Sequence, residues 1–309
     1  MHLLIPHASG LSPACQAALR TLELPTLRAL LARMTPGERD EGDEYSLSPP
    51  HERALARALG LTGADGALPW GARQAGADGV ATGDLAWGLL TPVHWHVGSD
   101  HLSVVNPDAL ALGEADSRAL FDAVRELFET EGYALVWGAP LRWYVAHESL
   151  TELPTASLDR VIGRNPDLWM PDAPQARTLR RLFAEVQMCF YAHPLHDARV
   201  AGGLDPVNSV WLSGCGVQQA ASGEAPLVLD ALRAPLLDED WPRWMQAWQA
   251  LDAGALREAL DRVGRGEPLT LSLCGERHVQ PWRTTSGGWL KTLRARWRAP
   301  DPASLLIDL

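Results

Sequence analysis

Short apolar runs of strand length alternate with amphipathic helical patterns along most of this 309-residue chain. Residues 2–6 (HLLIP) and 269–273 (LTLSL) are continuously apolar over the length of a buried strand. Residues 114–130 instead place apolar side chains on one helical face, at Leu120, Val124, Leu127 and Phe128. Strands that alternate with helices are typical of a mostly parallel sheet flanked by helices. The sequence therefore predicts an α/β fold, in which ligand sites lie at the carboxyl ends of strands.

The pattern changes between residues 91 and 150, where a strand or hairpin, a helix and a second hairpin follow one another in the order β-α-β-β. This order predicts a small inserted α+β subdomain at 91–150, within a core domain formed by residues 1–90 and 151–309. Residues 60–83 contain seven glycines among turn-forming residues. We expect that stretch to be a mobile loop.

The charge balance and the lysine content of the chain exclude several classes of function. The chain has 38 acidic and 27 basic side chains, a net charge of −11, which repels the phosphate backbone of nucleic acids. We therefore expect no nucleic-acid partner. Lys291 is the only lysine, so Schiff-base and phosphate-loop mechanisms that need a lysine elsewhere in the chain are excluded.

The chain also lacks the signals of a membrane or disulfide-bonded protein. No apolar run approaches the roughly 18 to 20 residues that span a bilayer. Met1-His2 lacks the positive n-region and long apolar stretch of a signal peptide, so we expect none. The four cysteines are scattered and form no CxxC pair. This usage is typical of reduced thiols, so we expect a cytoplasmic protein without a membrane partner.

The densest group of candidate metal ligands is His94, His96, Asp100 and His101, in the pattern HxHxxxDH. Zinc hydrolases of the β-lactamase type use HxHxDH, which is shorter by two residues, to surround their metal ions. Gly98 separates the two halves of the pattern here. A zinc hydrolase is therefore one alternative, and hydrogen-bonded histidines on a half-buried strand are the other interpretation.

Polar and small residues follow three predicted strands, at residues 6–10, 213–216 and 274–278. The turn predicted at 213–216 could present backbone N–H groups to an anion, and His193 and Arg199 lie upstream of it. Cys215 in this turn has no evident base beside it, so we do not expect it to be a nucleophile.

The segment from His193 to Gly216, HPLHDARVAGGLDPVNSVWLSGCG, resembles archaeal-type, cofactor-independent phosphoglycerate mutases of the alkaline phosphatase superfamily. Residues 25–34 (PTLRALLARM) resemble a helix of that family, and 269–278 occupy the place of its strand followed by a metal-binding GDH motif. The resemblance implies an alkaline-phosphatase-like core sheet with an inserted subdomain. It follows the order of most of the chain and is dense over about 25 residues.

A second resemblance is to a group of proteobacterial proteins described as phosphoglycerate mutase-like or regulatory protein RpfE. It is carried by HERALARALGL, DGALPW, SLDRVIGR and NSVWLSG, at residues 51–61, 65–70, 157–164 and 208–214. This second resemblance implies a bacterial regulatory protein.

The chain departs from the mutase pattern at the two places where metal ligands would lie. The family's first strand ends in Asp-Gly, whereas this strand ends in Pro6-His7. The GDH motif is replaced by Gly275-Glu276-Arg277-His278, which adds a cation where two metal ions would sit. A two-metal phosphotransfer site needs several anionic ligands.

Three hypotheses follow. The first is a regulatory, non-catalytic protein with a degenerate metal site and no cofactor, which binds a small phosphorylated or anionic ligand above the sheet. Its ligand-binding residues would be His7, His193, Arg199, Asn208, Ser213, Glu276, Arg277 and His278. The second is an active mutase or phosphatase that holds a divalent ion, Mn or Zn, through His7, Glu276 and His278. The third is the zinc hydrolase. Protein partners and oligomeric state stay open.

Overall fold

A computed structural model describes residues 1–98, 102–284 and 300–309 of the chain. Asp100, His101 and Lys291 of the sequence predictions lie outside these ranges. The chain divides into two units: unit 1 comprises residues 1–60 and 222–309, and unit 2 comprises residues 61–221. Unit 2 is therefore a continuous segment inserted into unit 1.

The described strands are, in chain order, β1 (His2–Ile5), β2 (Met34–Pro36), β3 (Ala86–Val93), β4 (Trp95–Val97), β5 (Leu102–Val104), β6 (Ala134–Ala139), β7 (Arg142–Ala146), β8 (Ser209–Val217), β9 (Leu227–Val228), β10 (Thr270–Cys274) and β11 (Val279–Thr284). The described α-helices are α1 (Pro13–Thr21), α2 (Pro25–Leu31), α3 (Pro50–Leu59), α4 (Trp70–Ala77), α5 (Glu114–Thr130), α6 (Leu158–Val161), α7 (Arg177–Ala192), α8 (Pro194–Ala201), α9 (Arg233–Leu237), α10 (Trp241–Ala253), α11 (Ala255–Gly264) and α12 (Pro302–Ile307).

Unit 1 contains a five-stranded sheet in the order β2-β11-β10-β1-β9. The centre is parallel, because β1 pairs in parallel with β10 on one side and with β9 on the other. The other edge is antiparallel, from β10 through β11 to β2. The predicted α/β class with parallel strands at the centre of the sheet is confirmed, and the antiparallel edge was not predicted.

The two faces of β1 enter two different cores, as expected from the alternation of side chains along a strand. Leu3 and Ile5 join the larger core, which α1, α2, α10 and α11 cover. Leu4 points the other way and packs with Ala54 of α3. All three β1 side chains are almost fully buried. Helices on both faces explain why this strand is continuously apolar.

Unit 2 contains an antiparallel four-stranded sheet in the order β6-β7-β3-β8. The amphipathic helix predicted at 114–130 is present as α5, and it packs with α7 on one face of this sheet. β8 belongs here, although the sequence assigned it to a largely parallel sheet. The turn predicted at 213–216 is wrong as well, because these residues are part of β8.

The segment 60–83, which was predicted to be a loop, contains the helix α4. The packing of Gly71 explains why a glycine-rich segment forms a helix here. A Cβ atom on Gly71 would lie 2.6 Å from the Cα atom of Gly88 in β3, so the helix and the strand touch through their backbones. Glycine lowers helix propensity in an isolated peptide, but here it allows the close packing that holds the helix in place.

The division into units also differs from the predicted subdomain boundaries at residues 90 and 150. Residue 90 lies inside β3, and β3 pairs with β8, which the sequence placed in the core domain. Hydrogen bonding across the sheet therefore joins segments that the local β-α-β-β pattern separated. Within the described ranges, no helix combines the length and the apolar composition needed to cross a bilayer.

Candidate functional site

The loop that follows β1 is held in an unusual backbone conformation at His7. Its φ angle is +57°, in the left-handed region that residues other than glycine rarely adopt. Two indole N–H groups of α10 hold the loop: Trp244 donates to the carbonyl oxygen of His7, and Trp248 donates to that of Ala8, each at 3.2 Å. A strained residue at the carboxyl end of a central strand is a frequent sign of a functional site.

Three N–H groups of this loop also have partners from unit 1. The Ala8 N–H donates to the Cys274 carbonyl at 2.8 Å, and the Gly10 N–H donates to Sγ of Cys15 at 3.2 Å. The Leu11 N–H donates to Oε2 of Glu276 at 2.7 Å. One oxygen of the Glu276 carboxylate therefore fixes the loop.

The loop conformation places the imidazole of His7 beside that of His51. Their ring centroids are 4.6 Å apart and the planes are inclined by 35°. His7 is buried, with 8% of its surface exposed, and His51 in the first turn of α3 is half-buried. α3 packs against β1 and β10, which brings His51 to the carboxyl end of β1. Two imidazoles here can bind an anion when protonated, exchange protons with a ligand, or ligate a metal ion.

The turn between β10 and β11, which contains Arg277 and His278, faces a different neighbour. The N–H groups of both residues donate to the carbonyl oxygen of Leu309, at 3.0 and 2.9 Å. The Nδ1 atom of His278 accepts the Gly42 N–H at 3.2 Å. Burial, with the nearby charges of Arg39 and Arg277, lowers the pKa of His278 below its ordinary value. These contacts bind the segment 300–309 and the loop at residue 42 to the turn.

The four candidate residues in unit 2 make hydrogen bonds that support local structure. His193 caps α8 by accepting the Leu195 N–H at 3.2 Å. Asn208 holds the start of β4, because its amide bonds both the N–H and the carbonyl of Trp95, at 2.7 and 2.9 Å. Ser213 lies in β8, paired with Leu89 of β3.

Arg199 is the most buried of these candidates, with 4% of its side chain exposed. Its guanidinium donates to the carbonyl oxygens of Asp205 and Leu110 and lies 3.7 Å from the Asp116 carboxylate. The cation is thus neutralised and hydrogen-bonded within unit 2. Displacing these partners for a ligand would leave buried polar groups unsatisfied.

The metal alternatives can be compared with the geometry of the described residues. His94 and His96 have ring centroids 6.2 Å apart, and Nδ1 of His94 lies 2.7 Å from the carbonyl oxygen of Pro206. Their proposed partners Asp100 and His101 lie outside the described ranges. Among the described residues, the ligand atoms of His7, Glu276 and His278 do not come within 4.8 Å of one another as a group.

The cysteines near the predicted strand ends are protonated thiols. Burial raises the pKa of Cys15 to about 11 and that of Cys215 to about 12. A thiol needs a lowered pKa or a paired base to act as a nucleophile. The expectation that Cys215 is not a nucleophile agrees with this environment.

Sequence reasoning missed His51, Trp244 and Trp248. The side chains of Trp244 and Trp248 are fully buried. Only the fold shows that their indole N–H groups bond the loop after β1. A helical histidine such as His51 carries no local signal that distinguishes it from a surface residue.

No family model matches the chain, and no curated protein matches it. Solved structures that are similar to it include the following two. One is a cofactor-independent phosphoglycerate mutase from Thermoplasma acidophilum, with 14% identity, a TM-score of 0.37, and coverage of 100% of this chain and 99% of that chain. The other is the PH0037 protein from Pyrococcus horikoshii, with 13% identity, a TM-score of 0.45, and coverage of 99% and 96%.

Proposed function

We propose that this chain is a phosphoglycerate mutase-like protein without mutase activity, which binds a small phosphorylated or anionic ligand and has a regulatory role. The ligand site that we propose is in unit 1, at the carboxyl end of β1, around His7 and His51. The observation that carries the proposal is the pair of contacting imidazoles at this strand end, where the family resemblance implies an aspartate.

The residues at this strand end do not fit a two-metal phosphotransfer centre. Such a centre needs several carboxylates to balance the charge of two divalent ions. Pro6 and His7 follow β1 and supply no carboxylate, and one oxygen of Glu276 accepts the Leu11 N–H. We therefore assign no phosphotransfer step to these side chains.

The same residues fit an oxyanion. Protonated imidazoles donate charge-assisted hydrogen bonds to oxyanions, and a bound anion offsets the repulsion between two adjacent imidazolium groups. A regulatory role would follow if the ligand is a metabolite whose concentration varies.

The imidazole pair also favours one alternative, an active enzyme that holds a divalent ion. Imidazole nitrogen is a common ligand of zinc. In that case His7 and His51 would supply two of the ligands, in place of the carboxylates of a phosphotransfer centre. The substituted set of His7, Glu276 and His278 is not favoured by the geometry.

Metal analysis and ligand-induced stabilisation separate these two possibilities. Protein purified without chelators is analysed for Mn and Zn, and its melting temperature is measured with inorganic phosphate, 3-phosphoglycerate, MnCl₂ or ZnCl₂. A ligand at 100 times its dissociation constant stabilises the native state by about 2.7 kcal/mol. The proposal expects metal-free protein that phosphate or 3-phosphoglycerate stabilises.

Variants locate the effect. H7Q and H51Q should each abolish the stabilisation by phosphate, whereas H96Q, which removes an exposed imidazole from unit 2, should leave it unchanged. Stoichiometric metal that is lost in H7Q and H51Q, together with conversion of 3-phosphoglycerate to 2-phosphoglycerate, would establish the alternative. An anion response that survives in both H7Q and H51Q would refute the proposed site.

A further inference from the structure

A groove of about 530 Å³ opens in unit 2 between β3, the β6–β7 turn and the loop before α5. This volume lies within the range of about 300–1,000 Å³ that small-molecule sites occupy. Leu89, Leu112, Pro140 and Leu141 make much of its wall apolar, and Arg142 borders it with a guanidinium. An apolar groove with one cation at its border fits a ligand that has an apolar body and an anionic end.

The guanidinium of Arg142 is held in one orientation by two neighbours. Its Nε atom donates to Oδ2 of Asp78 at 2.8 Å and to the Tyr144 hydroxyl at 2.9 Å, and Nη2 donates to Oδ1 of Asp78 at 3.2 Å. Within the described ranges, none of its hydrogen bonds involves Nη1. The side chain is 37% exposed, so the Nη1 edge has donors available.

The protonation states of the two neighbours keep this orientation at neutral pH. The hydrogen bond from Tyr144, assisted by Arg142, holds the pKa of Asp78 below its usual range, so Asp78 stays ionised. Burial, with the neighbouring Asp78, raises the pKa of Tyr144, so its hydroxyl stays a donor. Because Arg142 is already ordered, binding at Nη1 avoids most of the entropy cost of fixing an arginine side chain.

We propose that this groove binds a small apolar monocarboxylate, whose carboxylate accepts hydrogen bonds from Nη1 of Arg142 and whose body packs against Leu89 and Leu112. The charge of the ligand is limited, because Asp108 also borders the groove and Asp78 already pairs with Arg142. A phosphate ester with two negative charges would meet more repulsion than a monocarboxylate. The groove is thus distinct in its chemistry from the imidazole pair of unit 1.

The test is a titration of the full chain with octanoate, followed by calorimetry or by NMR of the ligand. We expect saturable binding at one site, and binding of 1-octanol, which lacks the carboxylate, should be at least tenfold weaker. R142Q should weaken octanoate binding at least tenfold. R118Q is the matched control, because Arg118 of α5 lies over the ring of Trp137 in β6 and is not among the groove residues.

R142Q also removes the contacts with Asp78, so a second variant keeps the test sharp. A139F places a large side chain in the groove and leaves Arg142 in place, and it should weaken octanoate binding by a similar factor. Absence of saturable octanoate binding would overturn the proposal. So would equal binding of 1-octanol, or binding that both R142Q and A139F leave unchanged. The phosphate response of the chain should be the same in R142Q, which separates this site from that of unit 1.

Discussion

The backbone contact between α4 and β3 allows us to predict how much a methyl group added at Gly71 changes the stability of the protein. A Cβ atom on Gly71 would lie 2.6, 2.7 and 2.9 Å from the Cα, C and N atoms of Gly88. Gly76 lies on the same helix, but a Cβ atom there would approach only the Gln218 side chain, at 3.6 Å or more. The same substitution at the two positions therefore compares a backbone collision with an ordinary contact.

The expected magnitudes have opposite signs. Alanine in place of glycine in a helix stabilises by up to about 1 kcal/mol, because the unfolded chain loses conformational freedom. G76A should therefore raise the free energy of unfolding by about 0.5–1 kcal/mol. Forcing a methyl group into a packed contact costs about 1–3 kcal/mol. Backbone atoms cannot rotate away as a side chain does, so G71A should lower stability by about 1–2 kcal/mol net.

Urea unfolding, followed by circular dichroism, measures the two free energies. Hydrogen exchange of β3 and β8 peptides then reports on the unit that contains the substitutions. We expect the melting temperatures of G76A and G71A to differ by several degrees, at about 2–4 °C per kcal/mol for a domain of this size. If G71A proves as stable as G76A, α4 does not touch β3 through Gly71, and the explanation for a helix in this glycine-rich segment is wrong.

Three further predictions concern unit 1 and the cysteines. The buried carboxylate of Asp252 accepts hydrogen bonds from the N–H groups of Thr26 and Leu27 at the start of α2, at 3.0 and 2.7 Å. Hydrogen bonds to charged groups contribute about 1.5–3 kcal/mol each, so D252A should lower the free energy of unfolding in urea by about 3 kcal/mol. D252N should lower it by less. The pKa of His278 is lowered in the folded state, so stability should be lost as pH falls below 6.5. H278Q should therefore show a smaller fall in melting temperature between pH 7.5 and 5.5 than the unaltered chain. An equal fall in both proteins would contradict the lowered pKa of His278. Burial raises the pKa of all four thiols, that of Cys15 to about 11. A thiol reagent at pH 7.5 should therefore modify at most the half-buried Cys189 in the native protein, and all four cysteines after unfolding. Rapid labelling of Cys15 in the native protein would contradict its burial.

The sequence predicted the elements whose signal is local. α5 begins and ends at the predicted residues, 114 and 130, because its apolar stripe is continuous over four turns. β1 and β10 were identified because strands that are buried on both faces are apolar throughout. The pairing of strands depends on residues far apart in the chain. No local sequence pattern could therefore show that β8 does not belong to the parallel sheet. The helix α4 is held in place by the packing of Gly71 against Gly88, and the sequence gives no local sign of that contact either.

The candidate site was predicted in part. The sequence identified the strand ends at residues 6–10 and 274–278, and the structure brings these together, since Ala8 bonds to Cys274 and Leu11 to Glu276. It did not predict that the partner of His7 is His51, because that contact depends on how α3 packs on the sheet. Nor did it predict that Arg199 is engaged by backbone carbonyls, since burial of a cation becomes visible only with its partners.

The insertion of unit 2 into unit 1 has a consequence for the order of folding during synthesis. β1 is made before unit 2, but its neighbours in the sheet, β9 and β10, begin at residues 227 and 270. Until then β1 has no partner strand, whereas unit 2 is a continuous segment that can form its own core as soon as residue 221 has emerged. We therefore expect a truncated chain that ends at residue 226 to protect β3 and β8 from hydrogen exchange while β1 stays open. The apolar strand β1, which precedes the loop with His7, is thus open to aggregation or chaperone binding on the ribosome.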